Sequence, residues 1–90
     1  MLSDDVYEFL TFDNSQFHTF ASIRDNFNKT VTVYSGGKLF NATGWKVGWA
    51  IGPQDMIKNA SQVHEAAVFN NNVPGQIAIA NSLDETLKPY

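Results

Sequence analysis

Thr30-Val31-Thr32-Val33-Tyr34-Ser35-Gly36-Gly37-Lys38-Leu39-Phe40, continued by Thr43-Gly44-Trp45-Lys46-Val47-Gly48-Trp49, decides how the rest of the chain is read. The β-favouring run Thr30 to Tyr34 predicts a short buried strand. Gly36 and Gly37 then let the backbone turn sharply at the strand end and come close to a ligand, since glycine accepts φ > 0 and carries no Cβ. Lys38 projects from that turn, and a second cation, Lys46, follows eight positions later. A lysine amine has an ordinary pKa of about 10.4. It becomes a good nucleophile where burial or a neighbouring cation favours its neutral form, and Lys46 is spaced to be that neighbour. The same cation, with the Ser35 hydroxyl and the N–H groups of the turn, suits a phosphate. A nucleotide-binding P-loop is excluded, because it needs Gly six residues before the lysine and Ser or Thr directly after it. Thr32 and Leu39 stand there instead. For the tripeptide Gly36-Gly37-Lys38 alone, an exposed turn lysine is the competing reading.

The longer segment is far more specific. Ser35, Gly37, Lys38, Phe40, Thr43, Gly44, Trp45, Lys46, Gly48 and Trp49 fill the frame S-x-G-K-x-F-x-x-T-G-W-K-x-G-W. This resembles the lysine segment of the class I/II, fold-type I pyridoxal-phosphate (PLP) aminotransferases, in particular the kynurenine aminotransferase and glutamine transaminase K branch. Upstream, Asp4-Asp5-Val6-Tyr7 resembles that family's D-x-V-Y, and the interval from Tyr7 to Lys38 is 38 − 7 = 31 residues, as in that branch. The resemblance runs from about Ser3 to the low eighties.

The resemblance implies a role for each matched position. Lys38 is the lysine that forms a Schiff base with the PLP aldehyde and later moves the substrate α-proton. Asp4 pairs with the protonated pyridine nitrogen, Tyr7 hydrogen-bonds the ring oxygen, and Ser35 and Lys46 hold the phosphate. The implied cofactor is pyridoxal 5'-phosphate, the implied substrates are an amino acid and a 2-oxo acid, and the implied assembly is a homodimer. Residues three apart on a regular strand point to opposite faces, so Asp4 and Tyr7 serve one ring only if the strand ends or bends between them. Without the resemblance, Asp4 reads as an exposed carboxylate near a terminus and Tyr7 as a core or rim aromatic. Asp5 stands where relatives usually carry Glu, Gly36 where Ala is common, and Asn41 where a small Ser is common. Phe69-Asn70-Asn71-Asn72 departs further, since the nearest branch has His after the phenylalanine. There the family's substrate entrance lies, so amino-acid preference is the property this departure bears on.

The implied fold class is α/β, with short, mostly parallel strands, one antiparallel strand and packing helices. Ninety residues form one small domain that buries about 60–65% of its unfolded surface. The family is several times longer, so residues 1–90 are expected to be a part of the PLP-binding large domain. The family's N-terminal arm, its earlier glycine-rich stretch and its C-terminal small domain have no counterpart here, and Met1-Leu2 directly before the aspartate motif reads as a truncation. Two functions are compatible with this. One is the lysine-bearing segment of a transaminase, and the other is a non-catalytic fragment or pseudo-enzyme module acting only through protein contacts.

Six Lys+Arg against nine Asp+Glu give a net charge of −3 with no basic patch, which disfavours nucleic acid. The absence of cysteine excludes disulfides and thiolate metal sites. His18 and His64 lack metal-ligand spacing, and no serine sits in a nucleophile elbow. No signal peptide or long apolar span is present, so no membrane partner is expected and the expected location is cytoplasmic, with an organelle as the alternative. The Asn28, Asn41 and Asn59 sequons are chance matches in that setting.

Further elements follow from pattern. Val6 to Phe12 is read as the end of a strand and its exit, and Ala21 to Phe27 as a short helix whose surrounding phenylalanines serve core or domain packing. Val47 to Ile51 is read as a strand with Trp45 and Trp49 on one face. Gly52-Pro53 opens an amphipathic helix from Gln54 to Val68, carrying Met56, Ile57, Ala60, Val63 and Ala67. Pro74 and Gly75 are expected to break the pattern before a second helix marked by Ile77, Ala80, Leu83 and Leu87.

Overall fold

The computed structural model describes residues 1–86, and the Leu87 of the expected second helix lies outside them. Its centre is the strand β2, Val31–Ser35, flanked on one side by β1, Leu2–Asp4, and on the other by β3, Gly48–Ile51. β1 runs parallel to β2 with Leu2 opposite Val31 and Asp4 opposite Val33. β3 runs antiparallel, with Thr32 opposite Ile51 and Ser35 opposite Gly48. This is the expected mixed sheet with one antiparallel strand. Alternation along β2 puts Thr32 and Tyr34 on one face and Val31, Val33 and Ser35 on the other. Tyr34 stacks on its cross-strand partner Trp49, with ring centroids 5.8 Å apart and an interplanar angle of 16°.

β2 starts one residue later than expected because Thr30 belongs to the turn before it. Its N–H bonds Phe27 O at 3.2 Å and its hydroxyl donates to Asn26 O at 2.7 Å, which satisfies a fully buried threonine. The expected strand end at Val6 to Phe12 is corrected: β1 stops at Asp4, and Glu8 N–H closes a turn onto Asp5 O at 3.1 Å. Asp4 Oδ1 takes the Val6 N–H at 3.4 Å, so the side chain competes with any continuation of the ladder. The helix expected from Ala21 to Phe27 is also replaced, by two separate 3₁₀ turns at Phe20–Ser22 and Asn26–Lys29. Arg24 between them sits at φ 53°, a left-handed backbone no helix can include. Phe17, Phe20 and Phe27 are exposed rather than core.

Trp45 does not share a strand face with Trp49. It closes a 3₁₀ turn, Thr43–Trp45, and Lys46 after it adopts φ 55°, ψ 41°, so β3 begins only at Gly48. Short helix α1, Gly36–Leu39, follows β2 directly. Helix α2 occupies Gln54–Val68 as the periodicity predicts, with Pro53 just before it. Helix α3 spans Val73–Thr86 and includes Pro74 and Gly75 in its first turn instead of being stopped by them. Proline is tolerated there because the first-turn N–H groups lack intrahelical partners anyway. The packed face of α3 is also not the expected one. Gly75 and Ile79 are buried while Ile77 and Ala80 are exposed, because Ile79 docks against Gly36. None of the described helices is long and apolar enough to cross a membrane.

The apolar core of the described residues is small, comprising Val47 at 7% and Ile79 at 6% exposure. α2 buries no residue: Ile57 of its apolar stripe is half-buried, and Met56, Ala60, Val63 and Ala67 are exposed. The chain exposes 7010 Å² for a mass of 10.0 kDa, whereas a compact monomer of that mass exposes about 5,200 Å². Exposed Leu2, Phe9, Phe12, Ile51, Val63 and Ile77 contribute to the excess. Such apolar faces drive association. The purified 90-residue chain is therefore expected to sediment as self-associated species and to melt over a broad range; a monomer with a sharp, cooperative thermal transition contradicts this.

Candidate functional site

Each of the five candidate side chains is delivered to the same end of the sheet. Asp4 is the last residue of β1, and Tyr7 lies in the turn just beyond it. Ser35 ends β2, and Lys38 rides on α1 immediately after. β3 runs the other way, so Lys46, two residues before its start, returns to that end as well. This is the carboxyl end of the two parallel strands, where open α/β sheets bind their ligands. Asp4, Val33 and Ala50 form one cross-strand row, and Ser35 and Gly48 lie two positions further along the same face. The strand end between Asp4 and Tyr7 removes the conflict that a regular strand would impose. Lys38, Asp4, Tyr7 and Lys46 are exposed, and Ser35 is half-buried.

The lysine turn is held tightly. Ser35 is the N-cap of α1, its Oγ accepting from Lys38 N–H at 3.3 Å. Gly36 N–H bonds Val47 O at 3.1 Å, and Gly37 O accepts from Ala42 N–H at 3.0 Å and Thr43 Oγ1 at 3.3 Å. No glycine has a positive φ, so the expected left-handed turn is absent and crowding is what requires glycine. A Cβ on Gly37 would stand 2.9 Å from Thr43 Cα, a backbone atom that cannot yield. A Cβ on Gly36 would meet only the Ile79 side chain, nearest at 2.9 Å, which can shift by rotation. A side chain is therefore tolerated more readily at Gly36 than at Gly37.

The opposite face of the sheet carries different chemistry. Asp5 is buried, its Oδ1 accepting from Ser3 Oγ at 2.7 Å. Glu8 faces it, and burial, then the Asp5 charge, pushes the Glu8 carboxyl above the ordinary carboxylate value. Burial and the Glu8 and Asp5 charges also raise Tyr34, opposed by the nearby Thr19 hydroxyl. That hydroxyl is close enough to favour the phenolate but makes no hydrogen bond of standard geometry. Sequence reading missed this acidic cluster, although Asp5 and Glu8 at a strand exit were visible. A separate open cleft of about 480 Å³ lies between the β2–β3 pair and α2. Trp49, Ile57 and His64 line it, and none of the five candidate residues does.

Residues 1–89 match the family described as Aminotransferase class I and II, and the chain belongs to that family. It is 41% identical over 91 residues to a kynurenine–oxoglutarate transaminase of Dictyostelium discoideum, covering 100% of this chain and 21% of the relative. The structure of N-succinyldiaminopimelate aminotransferase from Mycobacterium tuberculosis superposes with a TM-score of 0.90 at 35% identity, over 94% of this chain and 22% of that one. YbdL from Escherichia coli, whose structure and reactivity identify a methionine aminotransferase function, gives a TM-score of 0.88 at 32% identity, over 98% and 23%. The chain spans about a fifth of the length of the curated relatives it matches.

Because the Glu8 pKa is raised on folding, its contribution favours the fold at low pH and is lost as pH rises through the folded value. Glu8→Gln is expected to raise the thermal midpoint at pH 7 and to lose that advantage near about pH 4, where the unfolded carboxyl also protonates. Equal midpoint differences at both pH values would remove the cluster from the stability balance.

Proposed function

We propose that this chain is the lysine-bearing segment of the large domain of a PLP-dependent aminotransferase that moves an amino group between an amino acid and a 2-oxo acid. The observation that carries the reading is the gathering of Asp4, Tyr7, Ser35, Lys38 and Lys46 at one sheet end, in a chain of this family. The donor set fits the cofactor chemically. Asp4 commits one oxygen, at 3.4 Å, to Val6 N–H and is otherwise open, so its carboxylate can face a protonated ring nitrogen. Tyr7 offers a phenol to the ring oxygen, and the Ser35 hydroxyl and Lys46 ammonium offer the hydrogen bonds and charge that a phosphate needs. When bound, PLP supplies an electron sink next to the substrate's amino group. Lys38 Nζ would hold the aldehyde carbon until the substrate's amine displaces it, and the freed amine could then take the proton from the substrate α-carbon and return it. The name of the Dictyostelium relative favours kynurenine as amino donor and oxoglutarate as acceptor, with glutamine as the second donor to assay. The reading includes a homodimer located in the cytoplasm or an organelle.

The test is chemical. After borohydride reduction of the PLP-loaded full-length protein, peptide mapping is expected to find the pyridoxyl label on Lys38. A label on Lys29, Lys46 or Lys58 with Lys38 unmodified refutes the assignment.

For the 90-residue chain by itself, the excess exposed surface favours the second reading, a module without turnover that acts through protein contacts. The purified chain with PLP, assayed against several amino acids and 2-oxo acids, is expected to show no transamination above the background of free PLP. Stoichiometric turnover by a folded monomer would sink this view.

A further inference from the structure

We propose that Asn72 is a positioning residue for Lys46, setting the backbone from which that lysine reaches the cofactor phosphate; this rests on the PLP reading above. Asn72 lies 72 − 46 = 26 positions after Lys46, in the asparagine run that follows α2. Its side-chain amide is used at both ends. Nδ2 donates to Trp45 O at 2.7 Å, and Oδ1 accepts from Gly75 N–H at 2.6 Å, which makes Asn72 the N-cap of α3. The amide orientation follows from this pattern, since a carbonyl can only accept and an N–H can only donate.

Trp45 O belongs to the peptide group whose nitrogen is that of Lys46. The next peptide group, between Lys46 and Val47, is followed by Val47 O, which accepts from Gly36 N–H at 3.1 Å in the lysine turn. Lys46 is therefore suspended between one anchor on α3 and one on α1, in a left-handed backbone at φ 55° that few non-glycine residues adopt. A left-handed residue sends its Cβ in a different direction from a strand or helix residue. The tilt of the Trp45–Lys46 peptide thus decides where the Lys46 stem starts. Gly75 completes the fit, because a Cβ there would run into the Asn72 amide. An N-cap at this position needs only an acceptor, which Ser, Thr or Asp supplies equally well. Asn adds the donor that reaches Trp45 O.

The experiment separates the two ends of the amide. In the full-length holoenzyme, Asn72→Ser keeps a neutral cap for α3 and removes the donor to Trp45 O. Titrating apo-enzyme with PLP and, separately, with pyridoxal, which lacks the phosphate, reads phosphate recognition alone. The PLP Kd of Asn72→Ser is expected to rise about three- to tenfold, the effect of one hydrogen bond, with the pyridoxal Kd unchanged. In a Lys46→Ala background the same substitution is expected to change the PLP Kd by less than about twofold, because the two residues act on one contact. Asn72→Ala, which also loses the cap, is expected to lower the thermal midpoint below that of Asn72→Ser. Equal losses for PLP and pyridoxal, or additivity with Lys46→Ala, would reduce Asn72 to a structural role and overturn the proposal. A wild-type protein that binds PLP no more tightly than pyridoxal overturns the phosphate reading itself, and this inference with it.

Discussion

The hydrogen bond from Gly36 N–H to Val47 O joins the three parts on which the site depends. It continues the β2–β3 ladder past its last paired residues, orients the first turn of α1 under Lys38, and fixes the residue directly after Lys46. Around it, the missing side chains of Gly36 and Gly37 let two neighbours close in. Ile79 of α3 approaches from one side and the Thr43 backbone from the other. Interiors packed this closely transmit small displacements instead of absorbing them. The lysine turn therefore has little freedom to drift, even though Lys38 itself is exposed.

Much of this was legible in the chain, for identifiable reasons. α2 matched its expected limits because Gly52-Pro53 marks its start and fifteen residues sustain one helical period. β2 and β3 were placed to within a residue because β-branched runs adjoin recognisable turns. Tertiary override accounts for the misses. β1 ends early because Asp4 and Asp5 turn their side chains onto nearby groups, a competition that residue propensity does not reveal. The left-handed conformation of Arg24 divides what composition alone reads as one helix. On α3 the choice of buried face was made by Gly36, forty-three positions away from Ile79 by numbering, 79 − 36. The motifs picked out five candidate residues, which the structure brings to one end of the sheet, but the reason for the glycines differed: they relieve crowding and do not supply a positive φ.

The two sheet faces are electrostatically unlike. One carries Asp4 and Ser35 toward the proposed cofactor, while the other carries Asp5, Glu8 and Tyr34, where burial first and neighbouring carboxylates second raise Glu8 and Tyr34. Neighbouring residues at a strand exit thus serve opposite ends, because the two-residue period of a strand separates Asp4 from Asp5. Asp4 stays exposed, and Asp5 is buried with its Oδ1 accepting from Ser3 Oγ.

The antiparallel return of β3 also bears on the order in which the site comes together. Ser35, Lys38 and Lys46 are brought near one another by a connection of only a dozen residues between Ser35 and Gly48, 48 − 35 − 1. Asp4 and Tyr7 join them only when Leu2 finds Val31, a parallel pairing across 31 − 2 = 29 positions. Loop-closure entropy rises with separation and non-local pairings form late. The half of the site that would handle phosphate and aldehyde is thus local in sequence, while the half that would face the ring nitrogen depends on the most distant strand pairing in the sheet.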